Sequence, residues 1–208
     1  MTSATGARRP GRRKGDRTGQ AIRDVVEALL AERPLSEITV DEIAKGAGLS
    51  RSAFYFHYES REAVLCALTE ELTEQLYTSG TAWFRRTDES PRDALRRAAT
   101  QTVALWRKHG PVLRASVRAR DTDPRMREFW TAAGRRFIGA VAEQIERERA
   151  AGLAVAGPPS ARRLASLLVT MNEQACVNHS LTRRSPKADT EFIEALCAVW
   201  TRSVYGSP

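Results

Sequence analysis

The stretch from Thr39 to Tyr58, TVDEIAKGAGLSRSAFYFHY, decides how this chain is read. It has the layout of two short helices joined at a glycine. Thr39 and Glu42 stand at capping-box spacing, so a helix can start at Thr39 with its first N–H groups satisfied. Val40, Ile43, Ala44 and Ala47 then set an apolar stripe along one face. Ala44 is small where a second helix must cross closely, and Gly48 suits the left-handed conformation of a sharp turn. Ser50 is a good N-cap for the second helix, which turns Phe54 inward and leaves Arg51, Ser52 and Tyr55 outward. Caps, stripe and an exposed polar N-terminus together predict a helix-turn-helix that reads DNA.

The rest of the chain agrees with a polyanionic partner. The 208 residues carry a net charge of +8, and a basic balance favours nucleic acid. Between Met1 and Gln20 there are six basic residues (Arg8, Arg9, Arg12, Arg13, Lys14, Arg17) and one acid (Asp16), so five of the eight excess charges lie there. The same segment has few apolar residues, which predicts a disordered basic arm over residues 1–18. No apolar run is long enough to span a bilayer and no signal-peptide core opens the chain, so a cytoplasmic protein with no membrane partner is expected. Cys66, Cys176 and Cys197 are odd in number and lie in apolar helical patterns, as buried free thiols do. The three histidines lack ligand spacing with one another or with the cysteines, so no metal and no cofactor is expected.

Helical periodicity runs through almost everything after residue 18. Ile22, Val25, Val26, Leu29 and Leu30 form one stripe, and Pro34 stops it. Ser60 caps a longer helix bearing Val64, Leu65, Leu68, Leu72 and Leu76. Further helices are predicted from about Arg92 to His109, a short one after Pro111, Pro124 to Ala151, Ala161 to Ser180 and Asp189 to Tyr205. That makes nine helices in an all-α fold. The expected divisions are the arm at 1–18, a DNA-binding domain at 19–64 and a ligand-binding and dimerisation domain at 65–206.

A recognition helix starting near Ser50 puts its first turn in the major groove. Arg51 is then placed to bond a guanine edge with both arms of its guanidinium. Ser52 and Tyr55 reach base edges or phosphates, while Lys45, His57, Tyr58 and Arg61 stand nearer the backbone. Thr39 offers helix N-terminal N–H groups to a phosphate, and Arg12 and Arg13 of the arm track phosphates or a minor groove. Tyr55, Phe56 and Tyr58 have an alternative reading, as packing for the three-helix core.

In the C-terminal part, Trp130, Ala133, Gly134, Phe137 and Val141 share one helix face. Large rings flanking Ala and Gly can frame a void, and the same stripe can also be ordinary core. Trp106, Trp200 and Met126 supply further walls, with Leu95 and Thr102 on the stripe that carries Trp106. Cys176 is one helical turn beyond Asn172, whose amide needs a partner if buried: a ligand carbonyl or backbone.

The segment AKGAGLSRSAFYFHYESREAVL resembles the signature of TetR-family repressors, a helix-turn-helix closed by an aromatic-Tyr-aromatic-His run before a basic residue opens the fourth helix. The resemblance implies a TetR-like all-α fold, with a three-helix head and a six-helix C-terminal domain. It also implies a homodimer through the two C-terminal helices, a palindromic double-stranded operator and a small hydrophobic effector. RPLSEITVDEIAKGAGLSRSAFYFHYESREAVL at 33–65, LLVTMNEQ at 167–174 and VWTRSVYG at 199–206 are similar to one branch of that family. In that branch Trp106, Trp130, Phe137 and Trp200 match the walls of an elongated apolar channel, and Asn172 matches a donor to ligand carbonyls. This chain departs from the branch at Val169, where the branch has a second Asn, and at Thr102 and Phe137, where its side chains are larger.

These readings converge on a dimeric repressor released by an apolar ligand, and not an enzyme. No Ser/His/Asp or Cys/His cluster and no phosphate loop stands in the second part. The alternative is a ligand-independent architectural DNA-binding dimer.

Overall fold

The computed structural model describes residues 14–84, 89–182 and 185–206. They form eight α-helices and two short 3-10 turns, with no strand among the described residues. The chain divides into two compact units, the first ending at Leu65 and the second starting at Cys66.

The first unit holds α1 (Lys14–Leu30), α2 (Val40–Gly46) and α3 (Arg51–His57). Ile22, Val26, Ile38, Ile43 and Phe54 are fully buried and form its core. The expected capping box at α2 is present in both directions, with the Thr39 hydroxyl accepting from the Glu42 N–H and Glu42 accepting from the Thr39 N–H. Gly48 takes the left-handed conformation at φ +68, and Ser50 caps α3 through the Ala53 N–H. A second glycine has a different role. A Cβ on Gly46 would stand 2.8 Å from Val25 Cγ1, so the approach of α1 to α2 needs a residue without a side chain. Helix α1 begins at Lys14, so residues 14–18 are helical and not part of a disordered arm. The remainder of that arm, with Arg12 and Arg13, lies outside the described residues.

Helix α4 (Arg61–Gly80) is continuous across the division, carrying residues 61–65 in the first unit and the rest in the second. The second unit continues with α5 (Pro91–Ala119), α6 (Pro124–Ala150), α7 (Ala161–Leu181) and α8 (Pro186–Tyr205). In it α6 packs on α7 and α5 on α8. Trp83, Leu95, Ile145, Leu164, Leu168 and Trp200 are among the residues of its core.

Nine helices were expected, and eight are found among the described residues. Helix α5 is itself two helical segments that meet at a kink at His109, where the first of the two expected helices was to end; the second segment holds Pro111 and is the expected short helix. Proline removes one N–H from the ladder and crowds the preceding turn, and His109 absorbs this at φ −111, ψ 17, so the helix bends and continues. Counted with its two segments separate, α5 brings α4 to α8 to the six helices expected. The other boundaries fall close to those expected, with α8 starting three residues earlier, at Pro186, capped by Ser185.

Candidate functional site

The candidate DNA-reading face of the first unit is built by α2 and α3. Lys45, Ser50, Arg51, Ser52 and Tyr55 are exposed, and His57 is half-buried. Arg51 is held in place: its Nη1 donates to both carboxylate oxygens of Asp41 at 3.0 and 2.9 Å. Its Nη2 donates to the Tyr55 hydroxyl at 3.3 Å, and the guanidinium carbon stands 5.6 Å from the centre of that ring. Hydrogen bonds to Tyr55 and then to Asp41 raise the pKa of Arg51 further above its ordinary value. Asp41 was not among the residues expected at this site. Its partnership spans ten residues across the turn, where no helical periodicity connects the two positions.

Three residues expected near the DNA backbone have partners within the first unit. The Tyr58 hydroxyl accepts from Arg23 at 2.7 Å, tying α3 to α1. Arg61 donates to the carbonyls of Ser36 and Ile38, fastening the turn before α2. Thr39's own N–H is taken by the Glu42 carboxylate, so the first donor of that helix start is already used. The Thr39 backbone N–H, its hydroxyl and Arg33 hold the Glu42 pKa down to about 2. The core reading fails for Phe56, which is 87% exposed, and for Tyr55, which is 46% exposed. Tyr55 and Phe56 follow Phe54 by one and two residues, which turns them off the face that Phe54 buries. Phe54 alone of the aromatics in α3 is buried.

In the second unit the aromatic stripe of α6 frames open space. A chamber of about 100 Å³ is lined by Leu76, Gly80, Thr102, Trp106, Trp130, Ala133, Gly134, Phe137, Val141, Val169, Asn172, Glu173 and Trp200. A smaller one of about 50 Å³ has Trp83, Leu95, Ala98, Ala99, Leu196 and Cys197 among its walls. The two share Gly80, Thr102, Asn172 and Trp200, so they are neighbouring chambers that meet at the same four walls. A Cβ placed on Gly134 meets no heavy atom within 4 Å. Of the residues expected there, Met126 and Cys176 line neither chamber. Each is about 1% exposed, and burial, with Glu173 adding to it, pushes the Cys176 thiol up to about 12. It is an inert core thiol.

Polar groups stand at chosen points of this apolar wall. The Trp130 Nε1 is buried without a hydrogen-bond partner, an arrangement that costs free energy until an acceptor arrives. Arg120 stacks on the Trp130 ring at 5.5 Å and pairs with Glu173 at 2.7 Å. The α4 wall is tied to α6 by Arg136, which bonds both carboxylate oxygens of Glu74 and lies 3.8 Å over the Tyr77 ring. Tyr77 in turn meets Phe137 edge to face at 5.1 Å. Gly134 lines the chamber with the rest of its expected stripe, whereas Gly80 and Trp83 were missed in the sequence: Gly80 has no side chain to register in a pattern, and Trp83 follows the end of α4 in a separate short turn.

A capped helix-turn-helix on one unit and an apolar chamber in a second, all-helical unit define a DNA-binding transcriptional regulator. The chain belongs to the TetR family of bacterial regulatory proteins, in its EthR branch. The family model for bacterial regulatory proteins of the tetR family matches residues 22–68, and the model for the C-terminal domain of the transcriptional regulator EthR matches residues 95–206. The HTH-type transcriptional regulator EthR of Mycolicibacterium smegmatis is 32% identical over 212 residues, covering 100% of this chain and 97% of that protein. EthR of Mycobacterium tuberculosis is 33% identical over 204 residues, covering 96% and 92%. Among solved structures, Salmonella enterica GusR superposes with a TM-score of 0.74 at 16% identity, over 92% of this chain and 97% of that one, a likeness of fold. The two EthR proteins are transcriptional regulators, a non-enzymatic DNA-binding class to which this chain belongs. No helix of the described residues is long and apolar enough to cross a membrane.

Proposed function

We propose that this protein is a cytoplasmic, dimeric repressor that binds a palindromic operator and leaves it when an elongated apolar molecule fills the two neighbouring chambers. The chambers carry the proposal: their rings and small residues leave space that ordinary core packing closes, and their few polar groups meet one internal acceptor of a ligand. Asn172 is a wall of both chambers, so an ester, ketone or amide with an apolar arm on each side fits best. Leu167 and Leu181 on α7 and Val199 on α8 are exposed apolar side chains, which supports the homodimer through these helices. A two-fold dimer would bring two copies of α3 to successive major grooves.

The response would be a shift between two conformations. Leu76 and Gly80 make α4 a wall of the chamber, and the same helix begins in the first unit. A ligand that presses on this wall favours another placement of α4, and it releases DNA by as much as it prefers that placement.

The DNA half is tested by selecting duplexes from a random pool with the purified protein. An inverted repeat should emerge. Arg51→Ala should then cost about 1–3 kcal/mol on the selected duplex and much less on a scrambled one. Equal losses on both would remove the base-reading role of Arg51. Selection of a single, non-repeated site would remove the palindrome.

A further inference from the structure

We propose that Asp41 is a specificity-determining residue, aiming Arg51 at a guanine while its charge holds down binding to all other DNA. The inference rests on the reading of Arg51 as a base contact. It is carried by the geometry of three side chains at the junction of α2 and α3.

Arg51 is exposed, with 59% of its side chain accessible, yet it does not stand free. Both Asp41 oxygens accept from Nη1 alone. That leaves the edge formed by Nε and Nη2, whose two parallel N–H groups match the O6 and N7 acceptors of guanine. The Tyr55 hydroxyl touches Nη2 at 3.3 Å, a long contact that a base oxygen can replace. Held from Asp41 on one side and over the Tyr55 ring on the other, the guanidinium has lost much of its rotamer freedom before DNA arrives. Little ordering is then left to oppose the contact with the base.

The carboxylate has a second effect. Asp41 is 65% accessible and sits in the first turn of α2, on the surface that carries Arg51. A negative charge there opposes any phosphate backbone, and it offsets the charge of Arg51 in non-specific, counterion-driven binding. Only a site with guanine opposite Arg51 compensates for that repulsion, by the bond that Asp41 has prepared. The pair therefore widens the gap between operator and other sequences, where a lone arginine would raise affinity for both.

The test uses the full chain with a duplex selected by the protein and a scrambled duplex of the same composition. Asp41→Asn keeps the size of the side chain and removes its charge. On scrambled DNA it should tighten binding about 10-fold at low salt and steepen the salt slope by about one. Affinity for the selected duplex should change less than about threefold, so the specificity ratio falls. In an Arg51→Ala background the same substitution should shift both duplexes alike. Replacing each guanine in turn by 7-deazaguanine, which lacks N7, locates the base. One position per half-site should weaken wild-type binding, and should do so less for Asp41→Asn. If Asp41→Asn tightens both duplexes equally while Arg51→Ala still loses selectively, Asp41 is only a surface charge and the proposal fails alone. If no guanine position responds and Arg51→Ala loses equally on both duplexes, the base-reading role of Arg51 fails and takes the proposal with it. An unchanged circular dichroism spectrum confirms that the Asn variant is folded.

Discussion

Gly134→Ala should stabilise the second unit, an unusual direction for a substitution at a lined site. Gly134 lies inside α6, its φ is not positive, and an added Cβ meets no heavy atom within 4 Å. Nothing must move to admit the methyl group. The gain is then the helix-propensity difference between glycine and alanine in a helix interior, about 1 kcal/mol, part of it arising from reduced freedom of the unfolded chain. For a domain of this size that corresponds to roughly 2–4 °C in Tm. All four tryptophans (Trp83, Trp106, Trp130, Trp200) lie in the second unit, so their emission during urea unfolding reports on that unit directly. Protein concentration is kept fixed, because association shifts the midpoint. A loss of stability would show that a neighbouring side chain occupies the space over Gly134, and the chamber reading would go with it.

Gly46→Ala should act in the opposite sense, because its Cβ would press on Val25 Cγ1 at 2.8 Å. Hydrogen exchange of α1 and α2 amides should quicken, and Val25→Ala in the same chain should restore part of the protection; unchanged exchange would contradict the close approach. The Glu42 carboxyl titrates near 2 in the folded head, below its usual value of 4.5. Its contribution is therefore present above about pH 4.5 and lost as pH falls toward 2. Amide exchange at the start of α2 should accelerate through that window and should be insensitive to it in Glu42→Gln; a parallel acid response in both would assign it to other groups. Asn172→Leu should remove the polar contact at the wall shared by the two chambers, leaving purely aliphatic ligands bound and weakening esters or amides by about 10-fold, as expected for a lost hydrogen bond to a neutral group. Equal weakening of both ligand types would place the polar contact elsewhere.

The parts of this protein that follow from local chemistry were legible in its sequence. The caps at Thr39 and Ser50, the turn at Gly48 and the buried Phe54 all follow from residues a few positions apart, and the structure reproduces them. The stripe Trp130, Ala133, Phe137, Val141 faces one chamber for the same reason, since one helix face has one fate. What could not be read depends on distance along the chain. Asp41 meets Arg51 across a turn, and Tyr58 and Arg61 find partners in α1 and in the loop before α2. Those partners redirect two residues that their position alone assigned to phosphates. The break predicted before Pro111 is local chemistry too, and it falls at His109, whose non-helical backbone separates the two segments of α5. Met126 and Cys176 stand one helical turn from the wall residues Trp130 and Asn172, on the same stripes, but line neither chamber and are buried; how far along a stripe a cavity extends is set by the packing of other helices, which periodicity cannot specify.

Filling the chamber should lower affinity for DNA. The direct measurement is fluorescence anisotropy of the selected duplex, titrated with a series of aliphatic esters and amides of increasing chain length. It is made on the wild type and on Ala133→Trp, whose indole would occupy the chamber. A subset of chain lengths should weaken wild-type binding by about 10-fold or more, within the usual 1–3 kcal/mol of allosteric coupling, and Ala133→Trp should respond to none of them. Compounds that occupy the chamber of the wild type, seen as quenching of its tryptophan emission, while leaving its DNA affinity unchanged would contradict this coupling.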